Sequence, residues 1–392
     1  MLHPKTLYTF LFIILAGLCI PSQARTDTIC DFCGASIPSG QSYCDKCGNW
    51  ISSVDNEIKY EFSATAGYNH ANMNAVFTMG DGDDIWVSDW ENTYDTVTLA
   101  ASYRFYLKPR YQHPDVPFAF IPYNYRSNFL DIAAARVNDE YTYDDKGDYP
   151  NYSKLEYNAR LFSVNTLYYF DRVFVGGGLD YTYQTRDDFE SDDWLNQAVI
   201  LSGTFGFHNP RHRIGMNIQF HDLSYDRSYK DDDAQFFRLK PFVEYLPTPK
   251  ILLGIGLDYF LETGSNSSYY ELKIPLLAKY IMTEHWWEFV ASFSYYNNEN
   301  DINEYDLQVG IRKFFHDISV HLLSGYFRRT NDFASGAFEY VKVQAGADIA
   351  LCNRTILLGT SGYYHSGESS FVDPAPDYDN YGINGGLHLF FH

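Results

Sequence analysis

The chain has 392 residues, a formal net charge of −21, and 35 Tyr, 30 Phe and 6 Trp. The acidic balance, with no basic patch in the sequence, argues against a nucleic-acid partner. Mean hydropathy is −0.32, which taken alone would indicate a soluble protein, yet so many aromatic side chains need either a core or a lipid partner.

The first 24 residues have the pattern of a secretory signal peptide. Lys5 supplies a basic start, residues 7–20 form an apolar run, and Ser22-Gln23-Ala24 gives a small-residue cleavage site. The apolar run is short for a bilayer span, and Leu18 before Cys19 does not fit a lipoprotein site. We expect cleavage after Ala24 without a lipid anchor; an uncleaved anchor helix is the alternative.

Two C-x2-C pairs, each followed by glycine, lie just after this segment. Their spacing is typical of a zinc ribbon, in which four thiolates bind one zinc ion in a tetrahedral site. A module of residues 25–57 has few large apolar side chains and needs such a cross-link to fold. The spacing favours structural zinc, whereas an oxidising compartment favours disulfides within each pair, and both interpretations stay open. The cysteines concerned are Cys30, Cys33, Cys44 and Cys47.

Beyond Trp50 apolar and polar residues alternate in long segments. In residues 213–222 (RIGMNIQFHD) Ile214, Met216, Ile218 and Phe220 share one face, and residues 236–245 and 251–260 repeat the pattern. Strands of a soluble sandwich or propeller average about 5 to 6 residues, whereas alternation over about ten suits a tilted strand that crosses a bilayer. We therefore predict an all-β fold, a transmembrane antiparallel β-barrel.

Short and long connections alternate along the barrel sequence. Eight long polar loops imply sixteen strands, with both ends of the barrel on the short-turn side. A Pro-rich crossing at residues 108–125 departs from this pattern. Tight turns are predicted at residues 171–172, 209–210, 247–249, 283–284, 316–317 and 353–354. The long loops are predicted at residues 70–95, 138–153, 185–193, 226–234, 262–268, 297–304, 329–336 and 366–380.

The last strand, residues 381–391 (YGINGGLHLFF), resembles the C-terminal assembly signal of Gram-negative outer-membrane barrels. Tyr381, Ile383, Leu387, Leu389 and Phe391 form its lipid face, and His392 follows the aromatic residue that ends such signals. The resemblance covers about residues 58–391, and within the outer-membrane barrels the chain is similar to the porin-type ones. It implies a barrel at residues 58–392, inserted into the outer membrane by the barrel assembly machinery, with residues 25–57 in the periplasm.

Charged residues within the strands are expected to face the lumen. A charge on the lipid face near the bilayer midplane costs about 2 to 4 kcal/mol, so charges flanked by lipid-phase apolar residues should point inward. We expect opposed rows of cations and anions across a water-filled pore; an interior closed by its own salt bridges is the alternative. The predicted pore-lining residues are Arg104, Arg160, Arg238, Lys240, Lys273, Arg312 and Lys342 among the cations, and Asp180, Glu244, Asp258, Glu271, Glu288, Asp306 and Asp348 among the anions.

These patterns favour a porin-like channel for passive diffusion of small polar solutes. Membrane lipid, those solutes and a periplasmic partner of the N-terminal module are the partners expected. One alternative is a barrel that acts as an adhesin or receptor through acidic loops such as residues 231–233. A barrel hydrolase using His221-Asp222 or His365 is less favoured, because no G-x-S-x-G or H-E-x-x-H motif occurs and we expect no enzymatic activity.

The two interpretations of the N-terminal cysteines make opposite chemical demands. With zinc, the protein should contain about one zinc per chain and resist alkylation until a chelator is added. Replacing all four cysteines by serine should then unfold the module and leave the heat-modifiable electrophoretic mobility of the barrel unchanged. Absence of zinc, with a mass about two or four daltons below that of the reduced chain, would establish disulfides instead.

Overall fold

Sixteen antiparallel strands close into one barrel in the computed structural model of the protein. The sequence-based expectation of an all-β barrel with sixteen strands is thereby confirmed. The strands are β1 (Glu57–Met79), β2 (Trp86–Tyr111), β3 (Phe129–Asp145), β4 (Asn151–Tyr169), β5 (Val173–Asp188), β6 (Trp194–His208), β7 (His212–Arg227), β8 (Lys230–Thr248), β9 (Ile251–Gly256 and, after Leu257, Asp258–Thr263), β10 (Tyr270–Met282), β11 (Trp287–Asn298), β12 (Ile302–Phe314), β13 (Ile318–Asn331), β14 (Ala334–Leu351), β15 (Ile356–Ser369) and β16 (Asp377–Phe391).

The structure describes the barrel strands and most of their short turns. Two further strands of two residues, Thr28–Ile29 and Ser36–Ile37, pair antiparallel. Cys30, Cys33, Cys44 and Cys47, together with the signal segment, lie outside the described residues, so their assignments stay predictions. The described residues are 28–29, 36–37, 57–79, 86–111, 127–146, 151–188, 194–227, 230–248, 250–263, 270–299, 302–331, 334–351, 355–369 and 377–391.

Each strand pairs with its neighbours in sequence, and the last strand closes on the first. β16 pairs with β1 from Asp377 opposite Asn74 to Phe391 opposite Tyr60. This closure leaves no free sheet edge, which is the condition for a sheet to stand in lipid. No helix in the described part of the chain is long and apolar enough to cross a membrane.

Strand bounds leave a short connection at each of the six predicted turns, of which residues 249 and 353–354 lie outside the described residues, but several long loops are shorter than predicted. β1 extends to Met79 and β2 begins at Trp86, so most of the first predicted loop is paired strand. Between β7 and β8 only residues 228–229 separate the strands, and residues 231–233 belong to β8. Polar residues on both faces hide these strand extensions from a hydropathy pattern, although their backbones still pair. The barrel therefore carries strand hairpins on its long-connection side.

The outward face carries an apolar band between two belts of aromatic residues. On β13 Ile318, Val320 and Leu322 are exposed, Tyr326 follows, and Arg328 ends the band. Ile318 and Tyr326 are separated along the barrel axis by roughly 20 Å, close to the band of about 25 Å in membrane barrels. Exposed aromatic residues on the short-turn side include Tyr168, Phe170, Phe207, Tyr280, Phe289 and Phe315, and on the other side Tyr68, Tyr181, Tyr270, Tyr305, Tyr326, Tyr364 and Tyr381.

Two lysines make contacts at the turn of residues 283–286, next to the short-turn aromatic belt. Lys250 donates to Glu284 at 2.6 Å, which lowers the pKa of the Glu284 carboxyl. Trp286 in the same turn has a left-handed backbone (φ 53°). Lys313 lies over the Trp287 ring at 4.9 Å, so its ammonium sits at the edge of the apolar band, where an aliphatic stem and a charged head both find partners.

The fold predicts which connections face the cell exterior. An epitope tag inserted between Arg227 and Lys230 should be labelled on intact cells, because that hairpin lies on the side opposite the barrel termini. A tag inserted after Thr248 should be reached only after the outer membrane is opened. Both variants need heat-modifiable mobility as a folding control, and the reverse labelling pattern would invert the barrel.

Candidate functional site

Contacts that skip a strand identify the concave face of the barrel wall. Lys342 on β14 reaches Asp306 on β12 at 2.5 Å, across β13. Tyr363 on β15 donates to Asn69 on β1, across β16. Side chains two strands apart converge on the inside of a curved sheet and diverge on the outside, so these residues face the lumen. Alternation along each strand then assigns every other residue to one face.

The predicted pore-lining residues lie on this inward face, with one exception. Arg160 is opposite Arg136 and shares its face with the exposed Phe162 and Ile132. The inward assignment of Arg160 is therefore wrong. Leu161 and Phe162 are both apolar and occupy opposite faces, so the local pattern does not fix the phase of this strand. The inward residues are Arg104, Asp180, Arg238, Lys240, Glu244, Asp258, Glu271, Lys273, Glu288, Asp306, Arg312, Lys342 and Asp348.

One ion-paired cluster lies on β8, β9 and β10. Arg238 donates from Nε and a terminal nitrogen to the two carboxylate oxygens of Asp258, at 2.6 and 2.7 Å. Lys240 lies 3.8 Å from the same carboxylate, and Lys273 is the register partner of Asp258 on β10. Asp258 is the more buried partner, with its side chain 16% exposed against 32% for Arg238. Three cations therefore surround one carboxylate on this wall.

A second cluster lies on β12, β13 and β14. Arg312 donates to Asp348, and the Ser319 hydroxyl donates to the same carboxylate at 2.7 Å. Toward the loop side, Lys342 pairs with Asp306, which also accepts from Gln308 at 3.1 Å. Both pairs cross β13, so they are formed only in a closed and correctly registered barrel.

Cations and anions are thus interleaved and do not form opposed rows. Arg104 pairs with Asp131 at 2.7 Å, and Arg213 pairs with Glu244 at 3.3 Å. The electrostatic field of each pair is largely limited to the nearby wall, because the potentials of two adjacent opposite charges cancel at longer range. Sequence reasoning missed Asp131 and Arg213, although the two-residue period places both on the inward phase of their strands. The expected transverse field is replaced by local ion pairs.

The wall formed by β1 to β6 differs from the ion-paired wall, because small uncharged side chains cover most of its middle. They line a recess of about 490 Å³. Asp180 is the charged member of this lining, and it accepts from Asn165 at 3.5 Å. The inward lining residues are Ser63, Thr65, Ala100, Ser102, Ala133, Ala135, Leu161, Ser163, Asp180, Thr182 and Ile200. The lumen therefore has a smooth wall and an ion-paired wall.

Buried aromatic side chains pack against the inner wall at the short-turn end of the barrel. Phe174 is fully buried, and the Arg213 guanidinium lies 5.0 Å from both its ring and that of Phe242. Gly206 and Gly215 make this possible, because a Cβ at either position would lie 2.5 Å from the Phe174 ring. A second cluster at this end joins β1, β2, β14 and β16 through Ile58, Tyr106, Ala350 and Phe390.

Stacked rings line the loop side of the ion-paired wall. Tyr340 stacks on Phe327 with ring centroids 4.7 Å apart and on His365 at 5.1 Å. Phe338 and Tyr378 pack edge-on at 5.1 Å. Ring faces of this kind contact apolar or planar parts of solutes without requiring one hydrogen-bond pattern.

The structure does not bring His221 and Asp222 together as a catalytic pair. His221 faces inward against the Phe260 ring, whereas Asp222 is the next residue of the same strand and faces outward. His365 stacks on Tyr340 and Tyr363 within the ring cluster. Within the described ranges no group of three or more His, Cys, Asp or Glu is arranged to hold a metal ion.

Among known proteins, solved structures of other barrels are similar to this chain in fold. No protein-family model and no curated protein matches the chain. CdiB from Acinetobacter baumannii aligns with a TM-score of 0.50 and 8% identity, over 84% of this chain and 60% of that one. OccK7 (OpdD) from Pseudomonas aeruginosa (TM-score 0.39, 8% identity, 86% and 100% covered) and OccAB4 from Acinetobacter baumannii (0.41, 9%, 86% and 99%) also match. The chain thus spans about 60% of the length of CdiB, and the likeness shows a shared barrel fold.

The central carboxylate of the β8–β10 cluster should stabilise the barrel. Asp258→Asn leaves Arg238 and Lys240 without their shared anion, and we expect a loss of about 1 to 3 kcal/mol in the free energy of unfolding. The readout is the temperature at which folded electrophoretic mobility is lost. Asp180→Asn is the matched control, because the described residues place no cation at ion-pair distance from Asp180. Equal effects of the two substitutions would contradict a stabilising role for the cluster.

Proposed function

We propose that the protein is an outer-membrane channel that passes small polar solutes by passive diffusion. The observation that carries this proposal is the division of each strand between an exposed apolar outward face and an inward face of ion pairs, hydroxyls and small side chains. Water-filled barrels in lipid have this polarity, and sixteen strands give a lumen wide enough for water. The barrel fold shared with CdiB adds support for the membrane setting.

The two walls of the lumen suit solutes that carry both polar and apolar parts. Charged groups of a solute can exchange between separate ion pairs of the wall, such as those of Asp258 and Asp306, without meeting one strong site. Apolar parts can move along the smooth wall of β1 to β6. Weak contacts at several places favour passage over retention, which is the requirement for a diffusion channel.

We further propose that the barrel termini face the periplasm and that the N-terminal module lies there. β1 begins at Glu57 on the short-turn side, which supports this orientation. The module would hold structural zinc through Cys30, Cys33, Cys44 and Cys47, with disulfides as the alternative. A periplasmic partner of this module and insertion by the barrel assembly machinery belong to the same proposal.

A receptor or adhesin function is the second candidate. The observation in its favour is that β1 and β2 continue as a paired hairpin well beyond the apolar band, as far as Met79 and Trp86. Such hairpins give a stable surface on the exterior side. A correctly folded barrel that does not conduct in a planar bilayer would favour this second function.

Ion selectivity in a planar bilayer tests the channel directly. With a net charge of −21, the chain should attract cations to the pore entrances, and we expect stepwise currents with a cation preference at low salt. The preference should largely vanish near molar salt, where the Debye length is about 3 Å. Anion selectivity would mean that inward cations such as Lys240 and Lys273 control permeation instead.

Packing at the short-turn end predicts which residue limits conductance. Phe174→Ala removes a buried inward ring near the short turns, and we expect a larger single-channel conductance because the lumen widens at that level. Phe207→Ala is the matched control, since Phe207 lies at the same end of β6 but is 69% exposed on the outward face. An unchanged conductance in folded Phe174→Ala protein would place the constriction elsewhere.

A further inference from the structure

Two arginines lie side by side on the outward face of the barrel. Arg136 on β3 is directly opposite Arg160 on β4. Arg136 donates to the side-chain oxygens of Asn138 at 3.0 Å and Asn158 at 3.5 Å. Like charges directly opposite one another in a sheet repel, and within the described ranges no carboxylate lies at ion-pair distance from either guanidinium. Among the described residues, none therefore supplies an anion for the pair.

Two other outward cations on the described strands, Lys154 and Arg328, do have such anions. Lys154 lies 3.0 Å from Glu140 and 3.0 Å from Glu156. Arg328 lies 3.3 Å from Glu339 on the neighbouring strand. The arginine pair differs from these in its missing carboxylate and not merely in its charge.

The arginine pair lies at the upper edge of the apolar band. With a rise of about 3.3 Å per residue and a tilt of about 40°, Arg136 and Arg160 lie roughly 18 to 23 Å above the short-turn ends of their strands. Ile132 and Phe162 are exposed below them, whereas Glu140 and Lys154 lie above. This is the level at which lipid headgroups of the loop-side leaflet begin.

An apolar trough adjoins the pair. Its volume is about 790 Å³, and both arginines belong to its lining. Gly385, Ala66 and Leu99 lie in the same register row as the arginines, and Ala64, Ala101 and Ala134 form the next row toward the short turns. Because the residues in these rows are small, the surface is depressed here. Other strands carry Leu, Val and aromatic side chains on the same outward face.

We propose that this outward site binds a phosphate-bearing glycolipid of the outer leaflet, with its phosphate between Arg136 and Arg160 and an acyl chain over the trough. Guanidinium groups bind phosphate through paired N–H donors, and an anion at this point relieves the repulsion between the two arginines. The apolar trough suits a hydrocarbon chain. This inference rests on the proposed outer-membrane location, in which the loop side faces the glycolipid leaflet.

Native mass spectrometry of the full-length protein in detergent, titrated with bisphosphorylated lipid A, tests the site. We expect one tightly bound lipid A per chain, and at least a tenfold weaker affinity for the R136Q/R160Q double variant. R328Q is the matched control: it removes an outward cation at a similar height, but one already paired with Glu339, and should leave binding unchanged. Equal affinity of the double variant and the original protein would overturn the proposal.

Competing occupants give distinct results in the same titration. Equal binding of dephosphorylated lipid A would overturn the role of phosphate, and equal binding of phosphatidylglycerol would overturn the assignment to a glycolipid. A dimer that forms without lipid and is lost in A101W, which fills the trough, would make a second copy of the chain the occupant. Conductance of the same samples separates this inference from the channel: a silent barrel that still binds lipid A refutes only the channel.

Discussion

Pairing of every backbone group within the barrel is the constraint on which the rest of the structure depends. Hydrocarbon offers no hydrogen-bond partner, so a sheet in lipid must close, and here it closes through the register of β16 on β1. That register also determines which residues face inward, because a shift by one residue would exchange the two faces of a strand. The ion pairs across β13 and the outward arginine pair likewise depend on the register between neighbouring strands.

The inward charges show how a polar interior is kept stable beside lipid. A solitary buried charge is costly, whereas the Arg238–Asp258 and Arg312–Asp348 pairs satisfy donors and acceptors together. Because both partners remain partly exposed to the lumen, water still reaches them and the pairs remain exchangeable. A wall of this kind is polar, and its carboxylates lie beside its cations.

The number of strands, the short turns and most inward charges could be predicted from the sequence because all depend on a period of two residues. Arg160 could not, since Leu161 and Phe162 are adjacent apolar residues that leave the phase undetermined. Ion pairs such as Lys342–Asp306 could not be predicted either, because their formation depends on the register of three strands and on the curvature of the sheet. The lengths of the hairpins beyond the membrane were also hidden, as backbone pairing in water needs no apolar face.

In the proposed channel, selectivity and conductance should depend on different parts of the lumen. Along the axis, stacked rings around Tyr340 lie toward the loops, the Arg238–Asp258 pair lies near the middle of its strands, and Phe174 packs with its neighbours at the short-turn end. The current through a narrow aromatic constriction is governed by its cross-section, whereas the preference for one ion is governed by charge along the whole wall. Since Phe174 is uncharged and Asp258 lies away from the packed end, the two properties are physically separable in this barrel. A change of solute preference in the proposed channel would then require changes on the walls while the closure of the sheet stays intact.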